Sequence, residues 1–142
     1  MALSLEDRLA IQDLMNRYAY AIDVDCTEQE FLDLFTEDAQ MLSPYSGVHE
    51  GVEGVKLFRS KFVPRRGKLQ IRHVITNFLI DGDGDAAHLK AYFLEFKTQL
   101  ELPPNTERKT EFFFGGSYDC DIRRVDGKWK MKRRTVFIDH LS

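Results

Sequence analysis

Several features that mark common classes of protein are scarce or missing in this sequence of 142 residues. Its two cysteines, Cys26 and Cys120, cannot form a disulfide framework or a cysteine-rich metal site, and two free thiols favour a reducing cytoplasm. No apolar run approaches the ~18 residues of a membrane-spanning helix, so we expect no membrane partner. The net charge of −3 is weakly acidic, and we therefore expect no nucleic-acid partner.

Motifs for nucleotide, phosphate and metal chemistry are missing as well. The sequence contains no GxGxxG after a strand, no P-loop and no GxSxG. Its histidines outside the central region, His49, His88 and His140, have no metal-ligand spacing to one another or to a cysteine. The sequence therefore predicts neither a metal site nor a bound cofactor.

What the chain does contain is a globular composition, with 43% hydrophobic and 30% charged residues. Its length suits one domain over residues 1–142. Apolar residues recur at helical spacing over residues 5–22, after a capping box that begins at Ser4. A second capping box predicts a short helix after Thr27, and a third helix is predicted over residues 52–62.

The apolar period then changes from that of a helix to that of a strand. A short strand is predicted over residues 39–43, and the glycine-rich segment 44–54 is predicted to be a loop. Four long strands follow, over residues 69–80, 86–100, 110–124 and 129–139. Helices followed by antiparallel strands predict an α+β fold, in which the N-terminal helices pack on a strongly curved, mainly antiparallel sheet.

Two residues are candidates for acid–base chemistry. Alternate side chains of a strand share a face, so His73 should lie with Ile75 and Asn77 on the apolar face of its strand. A buried imidazole needs hydrogen-bond partners. Asp23, at the end of the first helix, is poorly placed against the helix dipole and needs a donor. A pair of the two would leave the second ring nitrogen as a base; the alternatives are a core histidine and a turn aspartate.

Four stretches of the sequence carry a resemblance to a known family. Residues 11–23, 34–39, 71–77 and 114–130 resemble, in order and spacing, the SnoaL-like family of the nuclear-transport-factor-2-like superfamily. The resemblance implies a cone-shaped α+β barrel. It is nearest to the branch of scytalone dehydratase, bile-acid 7α-dehydratase and hexachlorocyclohexane dehydrochlorinase. Members of that branch use an Asp–His pair to remove a proton while a leaving group departs from the next carbon.

The resemblance also implies roles for individual residues. Asp23 and His73 fall on the catalytic pair, and Tyr18 falls on a tyrosine that the bile-acid dehydratase uses. Arg134 falls on the arginine that assists the leaving group in the dehydrochlorinase. Simple alternation along the last strand favours Arg133 instead, unless a bulge shifts the pattern. Relatives of this shape usually associate, which implies a homo-oligomer, either a dimer or a trimer.

These residues predict a cofactor-independent lyase of the dehydratase type, acting on a small hydrophobic cyclic molecule. The same base would also suit an isomerase or a polyketide or terpenoid cyclase. A third hypothesis is a non-catalytic ligand carrier or the small subunit of an oxygenase, in which the pair is only a buried hydrogen bond. The side chains predicted to line the substrate pocket are Asn77, Phe31, Phe35, Ile75, Tyr92, Phe112, Phe114, Tyr118, Trp129 and Met131.

Overall fold

Three α-helices precede most of the sheet in the computed structural model, which describes residues 2–141. Helix α1 (Leu5–Asp23) and helix α2 (Glu28–Leu32) both begin with the predicted capping boxes. Helix α3 (Gly51–Ser60) is followed by a 3-10 helix at Val63–Arg65. Within residues 2–141, no helix is both long and apolar enough to cross a membrane.

One sheet of six strands forms the rest of the fold, in the order β2-β1-β6-β5-β4-β3. Neighbouring strands are antiparallel except for β1 and β6, which are parallel. The helices pack against one face of this curved, unclosed sheet, and the predicted α+β fold class is confirmed. The strands are β1 (Phe35–Ser43), β2 (Gly47–Glu50), β3 (Leu69–Asp83), β4 (Ala86–Gln99), β5 (Thr110–Val125) and β6 (Lys128–Ile138).

The segment before β3 differs from the sequence-based prediction in two places. Helix α2 ends at Leu32, and Phe35 already begins β1, which is longer than the predicted strand. Residues 47–50 form β2 within the segment predicted to be a loop. Both differences have one cause: β1 pairs with β2 on one side and with β6 on the other, and this distant pairing outweighs the local turn composition.

A β-bulge in β3 reverses which residues face the helices. Residues 77 and 78 together oppose one residue of β4, and Asn77 has a positive φ of 58°. Before the bulge His73 faces inward, as predicted; after it, Phe78 and Ile80 are the inward residues. Asn77 is exposed. The prediction that Asn77 shares the inner face with His73 is therefore wrong, because the bulge shifts the alternation by one residue.

A second bulge decides between the two arginines near the end of β6. The register with β5 skips Lys132, so Met131 and Arg134 are both buried. Arg133 is exposed on the opposite face of the sheet. The residue indicated by the family resemblance, Arg134, is thus the inward one, and simple alternation fails because of the bulge.

Gly116 marks a close backbone approach between β5 and β6. A Cβ atom at Gly116 would collide with the carbonyl oxygen of Phe137 and lie 3.0 Å from Cε1 of Phe93. We expect Gly116→Ala to lower the free energy of unfolding by about 2 kcal/mol or more, measured by urea denaturation. Gly115→Ala is the control, because its nearest contact is a mobile Leu94 methyl at 3.1 Å. Equal losses in the two variants would contradict this explanation.

Candidate active site

A cavity of about 320 Å³ lies between the helices and the inner face of the sheet. Aromatic side chains form much of its wall, including Tyr18 of α1, Phe93 of β4 and Tyr118 of β5. A small set of charged side chains interrupts this lining. They are Lys61, Arg65, His73, Glu95 and Arg134.

Asp23 holds His73 through two contacts. Nδ1 of His73 lies 2.5 Å from Oδ1 of Asp23, and the backbone N–H of His73 donates to Oδ2 at 2.6 Å. Asp23 is the last residue of α1, and the packing of α1 against β3 brings its carboxylate to the strand. Both side chains are buried, at 8% and 7% exposure. The carboxylate therefore fixes the ring orientation and the backbone of the strand together.

A second carboxylate, which the sequence analysis missed, contacts the other ring nitrogen. Glu95 is the cross-strand partner of His73, and its Oε1 lies 2.9 Å from Nε2 of His73. Glu95 is only 6% exposed. Neither this group nor any other within residues 2–141 has the arrangement of a metal site. The signal was present in the sequence, because Glu95 is the charged member of an otherwise apolar series of alternate residues: Ala87, Leu89, Ala91 and Phe93.

The two carboxylates change the protonation of the imidazole. Burial disfavours the charged ring, but the hydrogen bonds and charges of Asp23 and Glu95 outweigh burial and raise the pKa of His73 to about 9. At neutral pH the ring is an imidazolium that donates from both nitrogens. The sequence analysis predicted that the second ring nitrogen is free to act as a base. In the imidazolium this nitrogen, Nε2, carries a proton, and it can act as a base only after it has given that proton to Glu95.

Tyr18 and Arg134 form a second polar pair in the cavity wall. Nη1 of Arg134 donates to the Tyr18 hydroxyl, and Arg134 is only 3% exposed. The guanidinium also lies 4.9 Å from the ring centroid of Phe58. Burial raises the pKa of Tyr18 to about 12, against the opposing charge of Arg134, so the phenol keeps its proton. Because its oxygen accepts from Arg134, its hydrogen is left to donate to another group.

Only two residues of the predicted substrate lining, Phe114 and Tyr118, border this cavity. Tyr92 and Phe112 are 60% and 59% exposed and lie outside it. Tyr92 belongs to the alternate set of β4 that faces away from the helices. Phe112 is turned outward by a bulge at Phe113, which lines the cavity in its place. The predictions for Tyr92 and Phe112 are therefore wrong.

The remaining predicted lining residues do not border the cavity either. Phe31 and Phe35 pack behind Tyr18, each with a centroid distance of 6.2 Å. Met131 is fully buried, Ile75 packs against the core, and Asn77 lies in a separate depression on the other face. Trp129 borders an open groove of about 690 Å³ beside α1, and its indole N–H donates to Asp7. Phe31 and Phe35 therefore support the cavity wall from behind Tyr18, and none of the six residues lines the cavity.

Known proteins provide an independent comparison. A model of the SnoaL-like domain family matches residues 3–135. A candidate aromatic ring hydroxylase from Novosphingobium aromaticivorans is 33% identical, with 96% of this chain and 92% of that chain covered and a TM-score of 0.75. A candidate scytalone dehydratase from the same organism is 24% identical, with 94% and 85% covered and a TM-score of 0.76. A protein of Catenulispora acidiphila in complex with S-DNPA is 22% identical, with 96% of each chain covered and a TM-score of 0.79.

A search of curated protein sequences gives no significant match. The second and third structures show similarity of fold alone, because their identities are low. The family model, in contrast, covers nearly the whole chain, and the ring hydroxylase candidate supports it over the same region. The chain therefore belongs to the SnoaL-like family.

Proposed function

We propose that this protein is a cofactor-independent lyase of the dehydratase type, acting on a small hydrophobic cyclic substrate. The observation that carries the proposal is a buried imidazole with a carboxylate on each nitrogen, at the wall of a largely aromatic cavity. A protein that only binds a ligand has no need of a shared proton there. Relatives of this fold include a candidate scytalone dehydratase and a protein that holds S-DNPA, which supports a small-molecule pocket.

The proton shared by His73 and Glu95 supplies both an acid and a base. When the Nε2 proton moves to Glu95 across the 2.9 Å contact, a neutral imidazole and a carboxylic acid result. The imidazole takes a proton from the substrate carbon next to an electron-withdrawing group, and Asp23 stabilises the imidazolium that forms. Glu95 gives its proton to the departing hydroxyl, which leaves as water. The imidazolium and carboxylate of the starting state are then restored.

Tyr18 and Arg134 assist the leaving group in this proposal. The phenol donates a hydrogen bond to the departing oxygen, while the guanidinium behind it stabilises the charge that develops there. Both groups lie in the cavity wall together with His73. Both side chains are almost fully buried, so their electrostatic effect on the transition state is larger than it would be in solution.

Elimination can be separated from its alternatives with a panel of cyclic β-hydroxy ketones in D₂O, which includes neutral compounds and compounds that carry a carboxylate group. A lyase gives a conjugated product that has lost one water, whereas an isomerase gives a product that has lost none. Deuterium uptake next to the carbonyl reports proton removal by His73 even where no product forms. The similarity to a candidate ring hydroxylase favours a second hypothesis, a non-catalytic subunit of such an enzyme. Absence of both elimination and exchange across the panel would favour that hypothesis and contradict the lyase.

The raised pKa of His73 also makes stability depend on pH. The pKa is 6.5 for the ordinary group and about 9 in the folded protein. The protonated His73 ring therefore stabilises the folded protein fully below about pH 6.5, and this stabilisation is lost as the pH rises through about 9. We expect the wild type to lose more stability than His73→Asn between about pH 6.5 and pH 9.5 in urea denaturation, by a few kcal/mol. Equal losses in the two proteins would show that the carboxylates do not hold the proton.

A further inference from the structure

The charges around the cavity are unbalanced in favour of positive charge. Lys61, Arg65 and Arg134 line the cavity, whereas the carboxylates at the site are those of Glu95 and Asp23. Three cations against two anions leave an excess of one positive charge even when the imidazole is neutral. The imidazolium of the free protein raises that excess to two. A ligand that carries a negative charge would balance it.

Neither guanidinium of the cavity is paired with a carboxylate within residues 2–141. Arg134 donates to the Tyr18 hydroxyl, and its Nε atom has no hydrogen-bond partner although it is buried. Arg65 lies over the ring of Phe62, with its Cζ atom 4.7 Å from the centroid, and its guanidinium makes no hydrogen bond or ion pair in the described part of the chain. Burial lowers the pKa of Arg65, and the charges of Glu95 and Asp23, which lie beyond ion-pair distance, offset this effect only in part. Removing such groups from water is unfavourable unless an anion compensates them.

Arg65 and Lys61 are also placed together on one side of the cavity. Lys61 follows the last residue of α3, and Arg65 ends the 3-10 helix one turn later. Nζ of Lys61 lies 2.9 Å from Nε2 of His49. Burial lowers the pKa of His49, and the charges of Lys61 and Arg134 lower it further, so this ring accepts from the ammonium group and adds no negative charge. The contact with His49 uses one N–H donor of the Lys61 ammonium group, which leaves further donors for a ligand.

We propose that the substrate is a compact cyclic carboxylate, whose carboxylate group binds Arg65 and Lys61 while its ring extends toward His73. The planar guanidinium of Arg65 matches a carboxylate with two parallel hydrogen bonds. The aromatic walls and the volume of about 320 Å³ suit a fused two-ring system. The inference deepens the proposed lyase function by naming its substrate class, but the binding step does not depend on the chemistry.

A pair of probes that differ only in charge tests the proposal. Binding of 2-naphthoate and of the neutral 2-naphthamide is measured by isothermal titration calorimetry. We expect the wild type to bind naphthoate about tenfold or more tightly than naphthamide, as for a charge-assisted hydrogen bond in a partly buried site. Arg65→Met should lose most of this preference and keep its affinity for naphthamide. Arg72→Met is the matched control, because it removes the same charge from the outer face of β3 and should keep the preference.

Three outcomes would overturn the proposal: equal affinity for the two probes, a preference that survives in Arg65→Met, or no measurable binding of either probe. The readout is binding without turnover, so its failure is separate from a failure of the lyase function. If neutral hydroxy ketones of the panel undergo elimination while naphthoate binds no more tightly than naphthamide, the lyase is supported and the carboxylate site is contradicted. If naphthoate binds as expected and the carboxylate-bearing members of the panel show neither elimination nor exchange, the carboxylate site is supported and the lyase is contradicted.

Discussion

Substitution of His73 by asparagine is expected to lower kcat/KM by about 10²–10⁴-fold while the protein stays folded, because the amide cannot take up a proton. Asparagine keeps an N–H group that can donate to Asp23, so the contact between α1 and β3 is preserved in part. Activity is measured on the substrate that the panel identifies, and folding by circular dichroism and thermal unfolding. Full activity of a folded His73→Asn variant would end the proposal that this imidazole moves the proton.

Two further variants sharpen the result. Asp23→Asn should lose nearly as much activity, since an amide does not hold the ring in the same tautomer or balance its charge. The protein offers a matched control in His88, whose Nε2 atom lies 2.5 Å from Oδ1 of Asp119. That histidine–aspartate pair is about 40% exposed and lies outside the cavity, so His88→Asn should leave activity unchanged. A loss in His88→Asn equal to that in His73→Asn would mean that the assay reports folding rather than chemistry.

Substitution of Glu95 by glutamine is expected to lower kcat by about 10²-fold, because the amide keeps the volume of the side chain but cannot carry the shared proton. The same change removes one of the two carboxylates that raise the pKa of His73, and this pKa should fall below about 9. The fall of this pKa tests the ion pair, whereas the loss of kcat tests the proton transfer; a purely structural carboxylate would give the first effect without the second. An NMR titration of the His73 ring and a pH profile of kcat measure the two effects.

The matched control for this substitution is Glu111→Gln, at an exposed position of β5. It should leave both the rate and the titration of His73 as they are. If Glu95→Gln retains the wild-type rate, Glu95 does not supply the proton to the leaving group. In that case Tyr18, which also borders the cavity, becomes the next candidate for the proton donor.

The parts of the fold that depend on local signals could be predicted from the sequence. The capping boxes at Ser4 and Thr27 and the long strands from Leu69 onward lie where their residue patterns indicate. The α+β class follows from the order of these elements, the family follows from the resemblance of four sequence stretches, and both are confirmed. Strand β2 was missed because its pairing with β1 involves residues that carry turn signals of their own.

The inward-facing residues were harder to predict, and the reason is physical. Simple alternation assumes a regular strand, but bulges in β3, β5 and β6 each shift the faces by one residue. That is why Asn77 and Phe112 turn outward and Arg134 turns inward. A bulge depends on how two strands are joined across the sheet, so neither strand shows it alone. Glu95, in contrast, stands in a regular stretch, and its charge within an apolar series was a readable sign of a polar site.

The position of His73 in the sheet has a consequence for solubility. Strand β3 is an edge strand, because it ends the sheet order; within residues 2–141 it pairs with β4 and, at one residue, with an isolated bridge from Ala2 to Asp83. Unpaired backbone groups on an edge invite another chain to add to the sheet and aggregate. Side chains from both ends of helix α1 bind backbone groups of this edge: Arg8 donates to the carbonyl oxygen of Ile80, and Asp23 accepts from the backbone N–H of His73. One carboxylate thus covers part of the sheet edge and orients the imidazole, so the two properties cannot be altered independently at Asp23.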